Sequence, residues 1–581
     1  MIAHESKIAG IFEEGVELRV PFFQRRYVWD EDNWQRFAED MESTPFLDKD
    51  YFLGAVILKD EELREEEREE DRSRGVTSRR TIIDGQQRLT TLCIYMKILH
   101  MMTGQGDRFN YRYMLDGNVF PIIKHSLEDA AAFNAVMRLD VFHERLEGRR
   151  GAPLNNIYEA YNYFSEHLRK MRDDGMDMSD LLSSINSRVS FVFIRLQQTE
   201  DEQQIFDTIN SLGAPLTTGD LIKNFLFNDR NMEEQYRETW RPMFDTDEAK
   251  EFWHADSAKQ KQAKKKYKLV DRFFHAFVRI KMWDFDDLTD FQRKQYVKED
   301  NVVETCKAFV TRHGMSRDDL IAEIMEYAKL YKKYFGKNRL DESIGSTPGI
   351  KRIACIINAL DNTSIAPYVL YLLRNVQDTA ERNRIFGKLE AYVMRRVLAK
   401  SDNNSYSDLF TENLLHNYTN TVDGFVDYIN SKGEDANLAI PSEEAIRDAL
   451  WKGSINERRA RLIFYMQETK SGRIDGAYND YTAIQLMPKP STRNAINWPR
   501  LDHPNDEAAR KALIETLGNF FIVQSARNMT KWANSSLAEK KAKMIELGAN
   551  MDAINEWTHR KIKERDENLA GALCRTWPWQ Q

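Results

Sequence analysis

The chain has 581 residues, 42% hydrophobic and 30% charged, with a formal net charge of −8. That length exceeds what one hydrophobic core organises and predicts several domains of roughly 150 residues each. No apolar run approaches the ~18 residues of a membrane span, and the acidic balance excludes a uniformly basic DNA-coating protein while leaving local basic stripes open.

The opening, MIAHESKIAGIFEEG, lacks the basic-then-apolar layout of a secretion signal, so a cytoplasmic location is expected. Cys93, Cys306, Cys355 and Cys574 are far apart and form no C-x-x-C pair, which argues against both a disulfide framework and a cysteine-rich zinc site. In the first part, RVPFFQRRYVW (19–29) and YFLGAVILK (51–59) have the β-branched and aromatic content of short strands. EDNWQRFAEDMES (31–43) has helical spacing, and SFVFIRL (190–196) reads as a buried strand. EELREEEREEDRSRG (61–75) is charge-dense and is expected to be a solvated hairpin extension or loop.

From roughly residue 230 to 435 the pattern turns helical. FFHAFVRIKMW, IAEIMEYAKLYKKYF, IACIINAL, YVLYLLRNV and FGKLEAYVMRRVLA all carry apolar residues at three- and four-residue spacing. Ser442 is placed to cap the helix begun by Glu443 and Glu444. His100, His143, His167, His275 and His416 fall in helical patterns as ordinary core or surface histidines. The reading is an α+β fold, predominantly helical, in three domains: 1–230, a helical 231–435, and 436–581.

Residues 82–91, IIDGQQRLTT, pose the sharpest question, because a buried-looking strand ends in a polar knot before an apolar helix. Gly85 lets the backbone approach a ligand, and the helix N-terminus supplies unpaired N–H donors that suit a phosphate. Arg88 adds a planar bidentate donor, Asp84 can hold a metal-bound water or a sugar hydroxyl, and Gln86 and Gln87 can satisfy polar groups of either kind. A capped turn with a structural Arg–Asp pair is the competing reading. Gln24, Arg25 and Arg26 lie between aromatic residues, a pattern that suits base stacking with phosphate contact. FDTINSLGAPLTTGDLIKNFLF (206–227) ends one helix at Gly213 and starts another after Thr217 or Thr218, with Asp220 in its first turn and Lys223 one turn on.

Three motifs in order, P-x-x-Q-R-x-Y-x-W (Pro21 to Trp29), I-D-G-Q-Q-R-L-T-T-L (Ile83 to Leu92) and F-x-x-x-N-x-x-G-x-x-L-x-x-x-D-L-I-K-N (Phe206 to Asn224), resemble the N-terminal domain of GmrSD-type, modification-dependent restriction proteins. The resemblance implies a ParB/sulfiredoxin-like fold that binds and hydrolyses a nucleoside triphosphate, GTP or ATP. Its site would be Asp84, Gly85, Gln86, Gln87 and Arg88, with Gln24, Arg25 and Tyr27 as neighbours. No Walker-type motif is present, so hydrolysis would use a different cradle.

The last ~100 residues resemble the HNH-type (ββα-metal-like) nuclease domain of the same family. LGNFFIV with Asn519, then Asn528, Asn534 and Lys540, and a closing run through Trp557, Ile562, Arg565, Leu569, Trp577 and Pro578, keep the expected order. The resemblance implies DNA cleavage with Mg²⁺ or Mn²⁺ and a histidine base, with Asn519 and Asn534 as candidate metal ligands. Counting back from Pro488 puts Gln485 at the histidine position and Ile484 at that of the acid, and glutamine cannot take a proton near neutral pH. The alternatives are a disabled site, a base supplied by His503 in RLDHPND, or another register in which an engineered change at Ala483 removed the histidine. The expected function is an antiphage, nucleotide-regulated protein that senses modified DNA and cuts it. One alternative is a nuclease-inactive, NTP- and DNA-binding regulatory homologue, and another is a nucleotide-handling enzyme acting on small molecules. Lys259 to Lys268 and the basic helices after Asn519 are the candidate DNA-phosphate surface, Tyr27 and Trp29 candidate modification readers, and a homodimer an open partner alternative.

Overall fold

The computed structural model describes residues 2–63, 65–115, 120–147, 155–197, 216–256, 267–417, 419–433, 437–452, 455–488, 513–526, 535–551 and 554–579. The chain forms two compact units, Met1–Glu238 and Thr239–Gln581.

The first unit is built on a mixed six-stranded sheet of β1 (Ile2–Lys7), β2 (Val16–Arg19), β3 (Tyr51–Glu61), β4 (Ser78–Asp84), β5 (Ile123–Lys124) and β6 (Val189–Leu196), in the spatial order β1-β6-β3-β4-β2-β5. Pairs β1–β6 and β3–β4 are antiparallel, and β3–β6, β2–β4 and β2–β5 are parallel. Side chains alternate across a pleated sheet. Leu18, Leu58 and Ile82 therefore share one face and join the apolar core. The opposite face carries Glu17, Arg79 and Glu61 in one cross-strand row and Lys124, Arg19, Thr81 and Lys59 in the next.

The helices include α1 (Glu31–Ser43), α2 (Arg68–Ser73), α3 (Gln86–Met102), α4 (Leu127–Met137), α5 (Asn156–Asp173) and α6 (Thr218–Leu226). Asp30 begins α1 with a capping box, because its carboxylate accepts from Asn33 N while the Asn33 side chain returns the bond. Helix α3 is buried on nearly every side, as its apolar run LTTLCIYMKIL requires. Two expectations are corrected. RVPFFQRRYVW is strand only at Arg19, and residues 20–29 are irregular backbone held by side chains. The acidic insert is not wholly solvated. It forms α2, whose Asp71 is buried on Arg79, and the adjoining Arg74 is buried on Glu17. Arg79 also meets Glu17, and this ion-paired cluster spares the charges the cost of unpaired burial.

The second unit is predominantly helical. It includes α7 (Leu269–Lys281), α8 (Arg317–Tyr334), α9 (Ile350–Leu360), α10 (Ala366–Asn375), α11 (Thr379–Leu398), α12 (Glu443–Trp451) and α13 (Glu457–Lys470). These match the amphipathic runs read from the sequence, and Ser442 caps α12 by accepting from Ala445 N. Arg352 of α9 and Glu390 of α11 form a buried bidentate pair at 2.7 and 2.8 Å. Near the C-terminus, β7 (Tyr481–Gln485) pairs antiparallel with β8 (Phe520–Gln524), and α14 (Leu537–Glu546) and α15 (His559–Thr576) come after them. Among the described residues no helix is long and apolar enough to cross a membrane.

Candidate functional site

Strand β4 ends at Asp84, and Gly85 turns the chain into α3 with φ +99°. A Cβ there would lie 3.0 Å from Val56 Cγ2 and 3.4 Å from the Ala55 carbonyl oxygen, so glycine is demanded both by conformation and by the close approach of β3. One turn on, Arg88 donates to the Ala55 carbonyl at 2.5 Å and to Asp84 Oδ2 at 3.0 Å. Its guanidinium crosses Gly54, itself at φ +127°, where a Cβ would meet it at 3.2 to 3.3 Å. The Arg88–Asp84 pair anticipated as the structural alternative is thus present. It leaves Arg88 Nε buried without a partner.

The glutamines explain the polar knot. Gln86 Nε2 donates to the Arg25 carbonyl at 3.2 Å, and Gln87 Nε2 donates to the Arg26 carbonyl at 3.3 Å. Gln87 Oε1 accepts from Val28 N at 2.9 Å. Gln24 Nε2 in turn donates to the carbonyls of Ile82 and Ile83 at 2.7 and 3.1 Å. Side-chain amides therefore do for residues 24–28 what a neighbouring strand would otherwise do, satisfying backbone groups that burial would leave unpaired. Tyr27 is the pin of this segment. It is buried, its N–H donates to Asp129, and its hydroxyl bonds Thr91 and accepts from Trp34 Nε1. Burial holds the phenol well above its ordinary pKa. Trp29 is partly buried and packs against Phe37.

Arg25 faces two carboxylates, Asp84 and Asp220. Burial lowers its pKa, and those two charges oppose the shift. Asp220 belongs to a capping box with Thr217 at the start of α6, as the spacing predicted, and it meets buried Lys223 at 3.4 Å. Next to Lys223, Asn224 is 5% exposed and its amide oxygen has no partner. Gln24 Oε1 is likewise buried and unpaired. Three orphaned polar atoms thus belong to Gln24, Arg88 and Asn224, residues of the three sequence motifs, where native proteins ordinarily leave few. Phe206 and Gly213 lie outside the described residues.

Sequence reading missed His125 and Asp129. His125 is buried, and desolvation lowers its pKa to about 3, so it is a neutral imidazole bonded to Thr90 at 2.9 Å. Neither residue lies in a motif, and both are positioned by the fold alone.

In the second unit, Asn519 is completely buried just before β8. Its amide oxygen accepts from Met487 N and Trp557 Nε1 at 2.8 and 3.1 Å, and its nitrogen donates to the carbonyls of Met487 and Ile514 at 3.0 and 2.9 Å. Both lone-pair sites and both N–H groups are thereby used, so the amide holds the turn and does not fit a cation ligand. Gln485 Nε2 donates to the Ile514 carbonyl at 3.0 Å, and Ala483 is buried in β7. Lys540, on α14, is buried, and desolvation lowers its pKa to about 8. Arg565 donates to the carbonyls of Gly518 and Phe520 and lies 3.6 Å over the Phe521 ring. His503, Asn528 and Asn534, and Lys259 through Lys266 of the basic cluster, lie outside the described residues, while Lys268 pairs with Asp256 at 3.0 Å.

The first unit is thus an α+β domain in which a helix N-terminus, two arginines and a buried lysine lie with incompletely paired amides. Residues 8–227 match the family model described as the GmrSD restriction endonuclease, N-terminal domain. No curated protein matches the chain.

Proposed function

We propose that the chain is an antiphage, modification-dependent DNA restriction protein whose N-terminal unit binds a nucleoside triphosphate at the Asp84–Arg88 turn and thereby regulates action on DNA. The observation that carries this reading is the set of buried, unpaired polar atoms on Gln24, Arg88 and Asn224 beside the cations Arg25 and Lys223. Donors and acceptors left unpaired in the free chain are what a ligand with phosphate oxygens and polar base edges would complete. When bound, GTP or ATP supplies a hydrolysable phosphoanhydride. Arg25 and Arg88 would orient its phosphates and offset their charge. Gly85 keeps the helix N-terminus open to close approach, Gln86 holds the Arg25 backbone, and Gln87 holds that of Arg26 and Val28.

Under this reading the C-terminal region, 436–581, is the DNA-acting part, descended from an HNH-type nuclease. Its commitment of Asn519 to the fold, together with Gln485 at the expected histidine position, favours a second reading in which NTP and DNA binding persist and cutting does not.

Calorimetric titration of the full chain with ATP and GTP tests the first part: binding is expected, weakened at least tenfold in Arg88→Ala and Arg25→Ala. Unchanged affinity in both variants refutes the site. Incubation with glucosylated, hydroxymethylated or phosphorothioated DNA and Mg²⁺ or Mn²⁺ tests the second. Cutting supports the restriction reading. Inertness of the wild type, relieved in Gln485→His or Ala483→His, identifies a disabled nuclease.

A further inference from the structure

A cavity opens in the first unit on the sheet face opposite the apolar core, with a volume of about 1010 Å³. Its floor is the row Lys124–Arg19–Thr81–Lys59, one residue from each of four neighbouring strands, and Arg74, Arg138 and Phe120 stand at its wall. Strands lie ~4.8 Å apart, so Lys124 and Arg19 are adjacent like charges. Such cross-strand pairs destabilise a sheet unless something between them compensates.

The carboxylates around the cavity do not provide that compensation evenly. Glu61 accepts from Thr81, and Glu67 is taken by Arg79. Asp60 is taken by Arg80 and Arg195, and Glu233 by Arg237. Buried Glu17 is shared among Arg74 and Arg79 at 2.9 Å and Arg19 at 3.4 Å. Lys124 has no carboxylate within ion-pairing distance among the described residues, and it is exposed. Arg19 Nε and Arg74 Nε are buried without partners, although Arg74 is only 6% exposed. Six Lys and Arg side chains line the cavity against seven carboxylates, so what is unmet is local: the Lys124 ammonium and the Nε groups of Arg19 and Arg74.

We propose that this ledge is a phosphoryl-binding site, separate from the Asp84–Arg88 turn and centred on Lys124 and Arg19. It shares no side chain with the nucleotide site proposed above, so it stands or falls independently of that reading. The phosphoryl group belongs either to a DNA backbone or to a free nucleotide. The chemistry is the same: two to three cations, one of them a planar guanidinium, around a tetrahedral dianion or a phosphodiester.

The test uses the full-length chain and the variants Lys124→Glu and Lys124→Gln, the latter guarding against a new ion pair with Arg19 or Arg74. Three probes are titrated separately: inorganic phosphate, an unmodified DNA duplex, and ATP. Weakening of phosphate by at least tenfold in Lys124→Glu, and by less in Lys124→Gln, is expected. If duplex affinity falls with it, and the slope of log K against log salt drops by roughly 0.9 per lost contact, the phosphate is DNA's. If ATP affinity falls while the duplex is unaffected, it is a nucleotide's. Phosphate, duplex and ATP affinities all unchanged in folded variants, as judged by circular dichroism, overturn the proposal.

Discussion

Asn224→Ala separates a ligand-binding amide from a structural one. The side chain lies in the last turn of α6, 5% exposed, with its carbonyl oxygen buried and unpaired. Truncating a buried residue ordinarily destabilises a protein through lost packing, here about 1 kcal/mol for a small amide. Against that stand removal of an unsatisfied buried acceptor, about 1–3 kcal/mol, and the better helix propensity of alanine, roughly 0.5 kcal/mol. The balance leaves the ligand-free variant about 0.5 to 2.5 kcal/mol more stable than wild type. Ligand linkage should shift the comparison toward the wild type. Nucleotide at a hundredfold excess over Kd stabilises the wild type by about 2.7 kcal/mol, and a tenfold loss of affinity removes about 1.4 kcal/mol of that gain. Urea unfolding of the full chain with and without ATP or GTP, monitoring the transition that nucleotide displaces, reads both effects. A variant destabilised by more than about 1 kcal/mol that keeps the full nucleotide shift would refute the reasoning, because Asn224 would then be ordinary packing.

Gly85→Ala forces a side chain into the left-handed region and against Val56, so the first unit should lose about 1–3 kcal/mol and nucleotide binding with it; chemical unfolding and calorimetry check both. Asp566 sets a pH dependence in the second unit. Burial raises its pKa from 3.8 to about 6, while Gly518 N donates to its Oδ1 and Oδ2 stays buried without a partner. A folded pKa above the unfolded one contributes stability that is fully present below 3.8 and is lost as pH rises through about 6. Asp566→Asn, which keeps the acceptor for Gly518, should flatten thermal stability across that window, and a pH slope identical to wild type would show that other groups set it.

Much of the scaffold was legible because it depends on local pattern. The caps at Thr217 and Ser442, the helix over residues 31–43 and the amphipathic helices of the second unit all arise from spacing and a cap residue. The polar turn was legible as a strand-to-helix junction because glycine, arginine and aspartate meet where the apolar strand pattern ends. What escaped depends on partners distant in the chain. RVPFFQRRYVW has the composition of a strand, yet its backbone groups find the side chains of Gln87 and Asp129, some 60 and 100 positions on. The acidic insert reads as a solvated loop until Arg79 and Glu17 are placed beside it. Asn519 carries the motif of a metal ligand, and only the positions of Met487, Ile514 and Trp557 reveal how its amide is used.

The placement of β6 bears on how the molecule is made. Among the described residues, β6 is the last strand of the first unit, yet it lies inside the sheet between β1 and β3 and joins β1 to the rest. A nascent chain halted before residue 189 has an open gap where Val189–Leu196 belongs, with the edges of β1 and β3 unsealed. The unit therefore closes only after Leu196 has left the ribosome. Any truncated version meant for expression must extend past Leu196 to escape aggregation.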